Sequence, residues 1–585
     1  MNKHFCKTTI CALLSLSLFS CSKNVTEDKP PAVVPPVVTD TTTTIKPAID
    51  PALAATIGFF LDNWQPKTYT APAFAEGAIP STSLNTVTID ASDIITKIPV
   101  QIFGHNANTW MGTFVDQPGL ITDITNLNPH VIRWPAGSGS NGYFWNLKPG
   151  DKPEGAPDKY MDKDGNLIDA WFGYGRSTDN WRASLDNYYS MLLMTNNKGS
   201  ICVNYGFARY GISPNPVATA AHLAADWVRY DKGRTQYWEI GNENYADWEA
   251  GYRIDVTKNK DGQPEFLTGK LYAQHFKVFA DSMRKAAAEV GNANIKIGAV
   301  IQESPTASWQ NSTTQNWNKT LIPELNNQAD FYIAHNYITP FNENSNATTI
   351  LNAALTAPAS MMNFITNQIT TNGGAIKPIA FTEWNMWAKD SKQQVSNTSG
   401  VFAIIVQAEA IKNKYGLAAR WDLLNAWENG NDHGLFSDGG SGDDPRYNPR
   451  PSFYHMYYFQ KCIGDRLVSS TMQGAESAAV KAYASTYSSG QVNVTLLNTS
   501  SREQTFEIKF KNFVAGNRFY WYSLEGSNDN GEFSRKVLVN KSGPSGAAGG
   551  PANYATLKAL SAPTANGIKV TVPPLGSLCV MIDKK

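Results

Sequence analysis

Two glutamates, Glu243 and Glu383, have sequence surroundings in which acid–base and nucleophilic chemistry could operate together. Glu243 lies in Ile-Gly-Asn-Glu-Asn-Tyr at 240–245, and Glu383 lies in Thr-Glu-Trp-Asn at 382–385. Each follows a short apolar segment. Of two facing carboxyl groups, a protonated one can donate to a leaving oxygen while an ionised one attacks an anomeric carbon. At a separation of roughly 5–5.5 Å, such a pair cleaves a glycosidic bond with retention of configuration.

Residues 86–455 must form the elements that position these two side chains. Short apolar segments there end in polar or aromatic residues, and helix-like stretches follow them. The predicted strands are 100–104, 130–134, 200–204, 237–240, 295–299, 331–334, 379–382 and 420–425. This alternation favours a parallel sheet with helices outside, and eight repeats favour a closed (β/α)8 barrel. The active site of such a barrel lies at the carboxyl ends of its strands. The fourth and seventh strands would therefore present the two glutamates from nearly opposite sides.

The predicted organisation has five parts. The chain is expected to comprise a signal peptide (1–21), a linker (22–50), an N-terminal extension (51–85), the barrel (86–455) and a β-sandwich (456–585). Predicted barrel helices include 181–196, 216–230, 271–291 and 398–415. Strands at 492–497, 505–511, 518–522 and 568–572, separated by Gly, Ser and Asn turns, predict the antiparallel sandwich. Residues 86–89 could add a strand to it.

Polar and aromatic side chains follow other predicted strands as well. The first strand runs into Asn106, the second contains Arg133, the sixth runs into His335 and Tyr337, and the eighth runs into Trp427. Aromatic rings offer large rigid faces, and polar groups beside them can bind hydroxyls. These residues are therefore candidates for a sugar-binding cleft.

The pattern of Asn242-Glu243 after the fourth strand and Glu383-Trp384 at the seventh resembles clan A of the retaining glycoside hydrolases. The resemblance covers the barrel, residues 86–455. It implies that Glu243 is the acid/base, that Glu383 is the nucleophile, and that Asn242 binds the sugar 2-hydroxyl. We also expect Trp384 to contact substrate.

The same resemblance implies roles for the other strand-end residues. Arg133 would lie near the nucleophile and keep it ionised, because a nearby cation favours a charged carboxylate. Tyr337 would donate to the nucleophile, Trp427 would be the platform under the sugar, and His335 and Asn106 would be polar contacts. The residues alone also allow Arg133 to be a structural ion-pair partner, His335 a core histidine and Trp427 a packing residue.

Within that clan, the overall pattern is most similar to the α-L-arabinofuranosidase-like branch. The turn Pro135-Ala136-Gly137-Ser138 departs by one residue from the Pro-Gly-Gly-Ser turn of that branch. The pattern also resembles β-xylosidases, β-glucuronidases of the heparanase type, and agarases or other β-glycanases. The implied substrate is a polysaccharide or oligosaccharide, with sugar and linkage open.

Other acids and other functions compete with this interpretation. Glu239 is predicted to be structural, whereas Glu249 and Glu428 are predicted rim residues. A non-catalytic carbohydrate-binding protein would leave the paired glutamates unexplained. A polysaccharide lyase could use tyrosine, histidine and arginine side chains from the same strand ends, but it too would leave the glutamates without a role.

Composition narrows the possible partners. The chain has 585 residues, with 50 Lys plus Arg against 50 Asp plus Glu, so its formal net charge is zero. Proteins that bind nucleic acid through its phosphates are normally basic, and we expect no such partner. Of six cysteines, only Cys202, Cys462 and Cys579 follow the export segment, and they lack metal-ligand spacing. No metal or cofactor is expected, and the sequence leaves open whether Cys462 pairs with Cys579. Residues 162–166 are predicted to form a hairpin turn.

The N-terminus resembles a bacterial lipoprotein signal. Lys3 and Lys7 precede a short apolar run at 10–19, and Leu-Phe-Ser-Cys at 18–21 resembles a lipobox. The run is too short to span a bilayer. The resemblance implies cleavage before Cys21 and lipidation of its thiol, with several acyl chains giving stable membrane anchoring. Ser22 suggests the outer membrane, with the facing side and the oligomeric state left open.

Overall fold

The computed structural model describes residues 45–135, 137–425, 430–440, 444–475 and 477–585. The N-terminal signal and most of the predicted linker lie outside these residues. Within them the α-helices are α1 (Pro118–Leu127), α2 (Leu185–Thr195), α3 (Gly206–Tyr210), α4 (Pro216–Asp231), α5 (Gly269–Glu289), α6 (Ser312–Leu325), α7 (Ala347–Thr371), α8 (Asn397–Lys412) and α9 (Pro451–Cys462).

The β-strands fall into three groups along the chain. Two come first: β1 (Phe74–Glu76) and β2 (Asn85–Lys97). The middle group is β3 (Gly104–Asn106), β4 (Val131–Trp134), β5 (Tyr143–Phe144), β6 (Lys159–Met161), β7 (Leu167–Asp169), β8 (Gly173–Tyr174), β9 (Lys198–Val203), β10 (Thr235–Ile240), β11 (Lys296–Val300), β12 (Phe331–Tyr337), β13 (Ile379–Asn385), β14 (Leu417–Arg420), β15 (Leu424–Asn425) and β16 (Phe436–Ser437). The last group is β17 (Arg466–Gln473), β18 (Val480–Thr486), β19 (Val492–Asn498), β20 (Gln504–Lys511), β21 (Ala515–Gly526), β22 (Val537–Val539), β23 (Ala559–Pro563), β24 (Ile568–Val572) and β25 (Ser577–Lys584).

The described residues form a closed barrel of eight parallel strands, as the sequence predicts. The ring runs β3-β4-β9-β10-β11-β12-β13-β14 and closes by pairing of β14 with β3. Helices alternate with these strands and cover the barrel. The fourth and seventh strands, β10 and β13, are three places apart in the ring, so their carboxyl ends face each other across the barrel mouth.

Two predicted barrel strands, the first and the eighth, differ most from their bounds in the structure. Residues 100–103 form a 3-10 turn after Pro99, and the first strand begins only at Gly104. The eighth strand ends at Arg420, whereas Leu424–Asn425 pairs with Phe436–Ser437 in a separate two-stranded ladder. Ile102, Phe103 and Leu424 in these segments are buried and apolar, and apolarity alone does not say which neighbour a segment pairs with.

Local sequence explains where several helices begin. The N-cap residues of α2, α4, α5, α6, α7 and α8 are Ser or Thr or Asn, and each side chain accepts a hydrogen bond from a backbone N–H of the first turn. Such caps stabilise a helix by about 1 kcal/mol each because they satisfy otherwise unpaired donors. They fix the point at which each loop of the barrel mouth ends.

The C-terminal strands form a β-domain that β1 and β2 complete. The sheet order is β1-β23-β21-β25-β19-β18-β17-β2-β20-β24, with β22 beside β21. Distant strands such as β20 and β21 share one apolar core, so the sheet folds over on itself as a sandwich. The β2–β20 pair is parallel, unlike the antiparallel pairing that the sequence predicts for this region.

The N-terminal extension and α8 join the barrel to its surroundings. Phe60 packs against Tyr237 and Phe331 at the amino ends of their strands, so the extension closes the end of the barrel opposite the strand mouths. Helix α8 is buried on all sides between the barrel and the β-domain. The barrel mouth is therefore the end left open to solvent.

The structure also describes the predicted hairpin and the three cysteines of the chain body. Strands β6 and β7 pair as an antiparallel hairpin around residues 162–166, as predicted. Cys202, Cys462 and Cys579 are buried free thiols, so Cys462 and Cys579 do not form the disulfide that the sequence left open. In the described part of the chain, none of the helices has the length and apolar character needed to cross a bilayer.

Candidate active site

The turn after β10 places Glu243 at the barrel mouth. Gly241 has φ +78°, and a Cβ there would lie 2.1 Å from Asn244 Oδ1 and 2.7 Å from Tyr205 Cβ. Glu243 itself has φ +41°, a left-handed conformation that is rare for a residue other than glycine. The close turn thus requires glycine and holds Glu243 in a strained position, as is common at functional sites.

Glu383 lies opposite, within β13, and His335 of β12 connects the two carboxylates. His335 Nδ1 lies 3.1 Å from Glu243 Oε1 and 3.7 Å from Glu383 Oε2, and His335 Nε2 lies 3.0 Å from Thr382 Oγ1. One carboxylate oxygen of Glu243, one of Glu383 and one ring nitrogen of His335 all lie within 4.8 Å of one another. This separation matches the close pairing used in double displacement and is too short for the roughly 6.5–9.5 Å of the inverting mechanism.

Arg133 anchors Glu383 from below. Its Nη1 donates to Glu383 Oε2 at 3.1 Å and to Asn106 Oδ1 at 3.0 Å, Nη2 donates to Asn242 Oδ1 at 2.9 Å, and Nε donates to Glu239 Oε2 at 2.8 Å. The guanidinium is 2% exposed, so these contacts operate away from bulk water. A charge-assisted network of this kind orients the carboxylate and favours its ionised form.

Tyr337 completes the surroundings of Glu383. Its hydroxyl donates to Glu383 Oε1 at 2.6 Å, and its ring stacks on Trp387 at 4.4 Å between centroids. Each oxygen of Glu383 therefore has its own donor, one from Arg133 and one from Tyr337. A carboxylate held at both oxygens presents a fixed direction of attack.

The electrostatic surroundings of the two glutamates differ. Burial raises the pKa of Glu243 to about 7, opposed by the charge of Arg133 and a hydrogen bond from Trp248. Burial also raises the pKa of Glu383, and Glu243 adds to the rise; His335, Arg133 and the Tyr337 hydroxyl oppose it. Arg133 and the Tyr337 hydroxyl contact Glu383 directly and stabilise its ionised form. We therefore assign Glu243 as the protonated member of the pair and Glu383 as the ionised member. Burial lowers the pKa of His335 to about 4, so its ring is neutral near pH 7.

The three groups could also be considered as metal ligands. Their donor atoms are close enough for this, but Glu383 Oε2 already contacts the guanidinium of Arg133 at 3.1 Å. A divalent cation at that point would be repelled by the buried charge of Arg133. The arrangement therefore suits acid–base and nucleophilic chemistry better than metal binding.

A cavity of about 1080 Å³ opens above the pair. This is at the upper end for a small-molecule site, so it has room for more than one sugar ring. Trp421 directly follows β14 and lines the cavity beside Trp110, with ring centroids 6.0 Å apart. Gly137 lies against it, since a Cβ there would be 3.3 Å from the Trp421 ring and 3.7 Å from Glu383 Oε2.

The structure brings some predicted residues to the cavity and buries others. Glu243, His335, Tyr337 and Glu383 line it. The other predicted residues do not line the described cavity. Trp427 and Glu428 lie outside the described residues, and Arg133 lies beneath the cavity. The polar side-chain atoms of Asn106 and Asn242 form hydrogen bonds with other protein groups. The contact of Asn242 with a sugar 2-hydroxyl stays a prediction.

Two predicted positions require correction. Trp384 is fully buried, and its ring lies against Phe381 and, at 6.4 Å, against Phe402 of α8, so it faces the helices and not the cavity. Asn106 donates to the carbonyls of Thr382, Ala419 and Arg420 and accepts from Arg133, so it organises strand ends instead of contacting substrate.

Glu249 is not at the rim as predicted. It is 4% exposed and accepts hydrogen bonds from Ser138, Asn141 and Asn242. Burial and the nearby Glu243 raise its pKa to about 8, against the effect of these donors. It holds the turn after the second strand against the turn that carries Glu243. Glu239, predicted to be structural, is fully buried and acts through Arg133.

The raised pKa of Glu249 gives a prediction for stability. Its folded pKa of about 8 exceeds the usual carboxyl value of 4.5, so the folded protein keeps a proton that the unfolded chain releases, and this contribution to stability is lost as pH rises from 4.5 to about 8. We expect the unfolding temperature to fall between pH 6.5 and 8, and to fall less in Glu249→Gln. Thermal scans of both proteins across that window test this, and parallel curves would contradict it.

Trp421 and Glu303 are among the cavity residues that the sequence did not predict. The eighth strand ends at Arg420, so Trp421 is the residue that follows it. The predicted strand at 420–425 placed Trp421 inside the strand and therefore did not indicate it. Glu303 lies three residues beyond β11, in a loop that matches no motif. Only its position in the cavity wall indicates a functional role.

Solved structures with the same fold include proteins that cleave glycans. The chain superposes on an α-L-arabinofuranosidase from Thermotoga maritima (TM-score 0.58, 16% identity), a family 51 α-L-arabinofuranosidase from Bifidobacterium longum (0.57, 13%) and a family 44 xyloglucanase from Paenibacillus polymyxa (0.53, 11%). Each comparison covers 86% of this chain and 100% of the other. No family model and no curated protein sequence matches the chain. At these identities the likeness establishes the fold alone, a (β/α)8 barrel with a C-terminal β-domain.

Proposed function

We propose that the protein is a retaining glycoside hydrolase that cleaves an oligosaccharide or polysaccharide through a covalent glycosyl-enzyme. The observation that carries the proposal is the close facing pair of Glu243 and Glu383, with Arg133 and Tyr337 bound to the two oxygens of Glu383. Glu383 attacks the anomeric carbon while Glu243 gives its proton to the leaving oxygen. Glu243 then removes a proton from the water that attacks the intermediate.

The acid/base role fits the change in charge along this reaction. Burial of Glu243 favours its protonated form, and an ionised carboxylate at Glu383 disfavours a second negative charge opposite it. Once Glu383 is esterified, that charge is gone and the pKa of Glu243 falls, so the same group becomes a base. Solved relatives by fold are named as arabinofuranosidases, a glucanase-xylanase and a xyloglucanase, which supports the class and places an arabinofuranoside first among sugars to test.

Hydrolysis of a panel of aryl glycosides tests the function. The panel comprises α-L-arabinofuranoside, xyloside, glucoside, galactoside and glucuronide, with NMR of the first-formed sugar to read its configuration. Release of aryl alcohol with retention is expected for at least one member. A product that absorbs as an unsaturated uronide would indicate a lyase, and inversion would contradict the double displacement.

The pKa of Glu243 predicts the pH dependence of the reaction. Because Glu243 must carry a proton and its pKa is about 7, kcat/KM should decline as pH rises above 7. The decline should weaken for aryl leaving groups that need little protonation. On an aryl glycoside for which the wild type still shows the decline, Glu243→Gln should lose this alkaline limb; retention of the limb would assign it to another group.

We also propose that the protein is exported and lipid-anchored through Cys21. The proposal rests on the signal-like sequence at 3–21, which lies outside the described residues. Cells expressing the protein with radiolabelled palmitate should label the wild type and not Cys21→Ala. Labelling of both, or of neither, would refute lipidation at this cysteine.

A further inference from the structure

Glu303 is a third buried carboxyl in the wall of the cavity. It follows β11 and is 6% exposed. Its Oε1 accepts hydrogen bonds from Asn336 Nδ2 at 3.1 Å and Ser304 Oγ at 3.0 Å, whereas no group among the described residues bonds to Oε2. Burial raises its pKa to about 7. A buried acceptor without a donor is costly, so Oε2 is suited to receive one from a ligand.

The neighbouring Gln302 has the same character. It is 7% exposed, lines the cavity, and its side-chain oxygen also has no donor among the described residues. Two adjacent unfilled acceptors match a ligand that carries several hydroxyl donors. A sugar unit is such a ligand, whereas an apolar leaving group would leave both acceptors unpaired.

The position of these residues points to the leaving-group side. Strand β11 neighbours β10, whose turn carries Glu243, while Arg133 and Trp421 gather at Glu383 from the other side of the ring. The leaving oxygen must lie at the acid that protonates it. A sugar attached to that oxygen therefore extends towards Glu303.

Exposed aromatic rings continue the same side of the cavity. Trp248 follows β10 and Trp309 follows β11 on this side, with exposures of 63% and 84%, and Phe341, 73% exposed, follows β12 and contacts Trp387 at the same cavity. Single exposed rings are common, but three around one cavity form flat faces on which sugar rings can stack. The leaving group is thus expected to be a chain of sugars.

The charge of the cavity wall restricts which sugars fit. Its lining, among the described residues, includes Glu243, Asp247, Glu303 and Glu383 but no lysine or arginine. Residues 426–429, which lie outside the described part, read Ala-Trp-Glu-Asn and contain no basic residue either. A uronate or sulfate group here would meet carboxylates without a compensating cation.

We propose that Glu303 and Gln302 bind hydroxyl groups of an uncharged sugar on the leaving-group side, and that Glu303 excludes acidic sugars there. The inference rests on the proposed hydrolase function and narrows it to neutral glycans. It sets aside uronate-bearing and sulfated chains as substrates in this part of the cavity.

Two disaccharides of the glycone that responds in the aryl panel test the proposal, one linked to glucose and the other to glucuronic acid. The measured quantity is the ratio of their kcat/KM values above pH 7. We expect the wild type to favour the glucose compound by about 100-fold, and Glu303→Gln to reduce this ratio by about tenfold, because a like charge is removed. Gln302→Glu, of nearly equal size, should raise the ratio.

The ratio separates recognition from damage to the fold. A general loss of structure lowers both kcat/KM values together and leaves their ratio unchanged. The control variant Glu289→Gln, at the exposed end of α5, should also leave the ratio unchanged. An unchanged ratio in both cavity variants, or a wild type that prefers the glucuronic acid compound, would overturn this inference and leave the hydrolase function standing. Absence of hydrolysis of every glycoside and oligosaccharide would refute the hydrolase function, and this inference with it.

Discussion

Glu383→Ala is expected to lower kcat by on the order of 10⁵-fold, the loss typical when a covalent nucleophile is removed. The carboxylate is the group that Arg133 and Tyr337 hold for attack, and no other described residue occupies its position between them. The measurement is kcat on the responding aryl glycoside, with a thermal scan to show that the variant is folded.

A buried glutamate outside the cavity provides the matched control. Glu409 of α8 is 5% exposed and is paired with the Tyr483 hydroxyl and Lys412. Glu409→Ala should lower the unfolding temperature while leaving kcat nearly unchanged. If Glu383→Ala kept more activity than Glu409→Ala, the nucleophile would have to be sought elsewhere.

Arg133→Met is expected to reduce both stability and activity. The substitution leaves Glu239 and Glu383 buried without their cation, and breaking a buried ion pair on one side costs about 3–5 kcal/mol. Loss of the donor that orients Glu383 should also lower kcat by at least about 100-fold. Chemical denaturation and kcat on the same preparation measure the two effects.

The double variant Arg133→Met/Glu239→Gln separates these effects. Removing the charge of Glu239, which Arg133 Nε contacts at 2.8 Å, should recover part of the lost stability. Activity should not return, because Glu383 Oε2 still lacks the hydrogen bond from Arg133. Recovery of both would mean that Arg133 acts only through folding, and a single variant as stable as wild type would show that the ion pairs contribute nothing.

The chemistry-bearing core of the site was predictable because barrel topology converts strand ends into neighbours. The apolar segments of the sequence predict β10, β12 and β13. In a closed barrel the residues at the carboxyl ends of these strands must lie close together. The fold comparisons bear out the barrel and its C-terminal β-domain. The residue roles remain predictions that the geometry supports.

The misplaced residues depended on local geometry that a sequence pattern does not carry. Register along β13–β14 shifts between Phe381 and Trp384, and Trp384 turns to the helices. The eighth strand ends at Arg420, which places Trp421 in the cavity, because Leu424 pairs in a side ladder. Glu303 lies in a loop, where neither periodicity nor a motif marks a functional position.

The assignment of Glu383 as nucleophile and Glu243 as acid/base is tested most directly by the products that azide forms with the two alanine variants on an activated aryl glycoside. Glu243→Ala should still form the glycosyl-enzyme, which azide attacks to give a glycosyl azide of retained configuration. Glu383→Ala should give only the inverted azide, formed by direct attack in the space that the carboxylate leaves. The reverse pattern, or wild-type hydrolysis in both variants, would contradict the account.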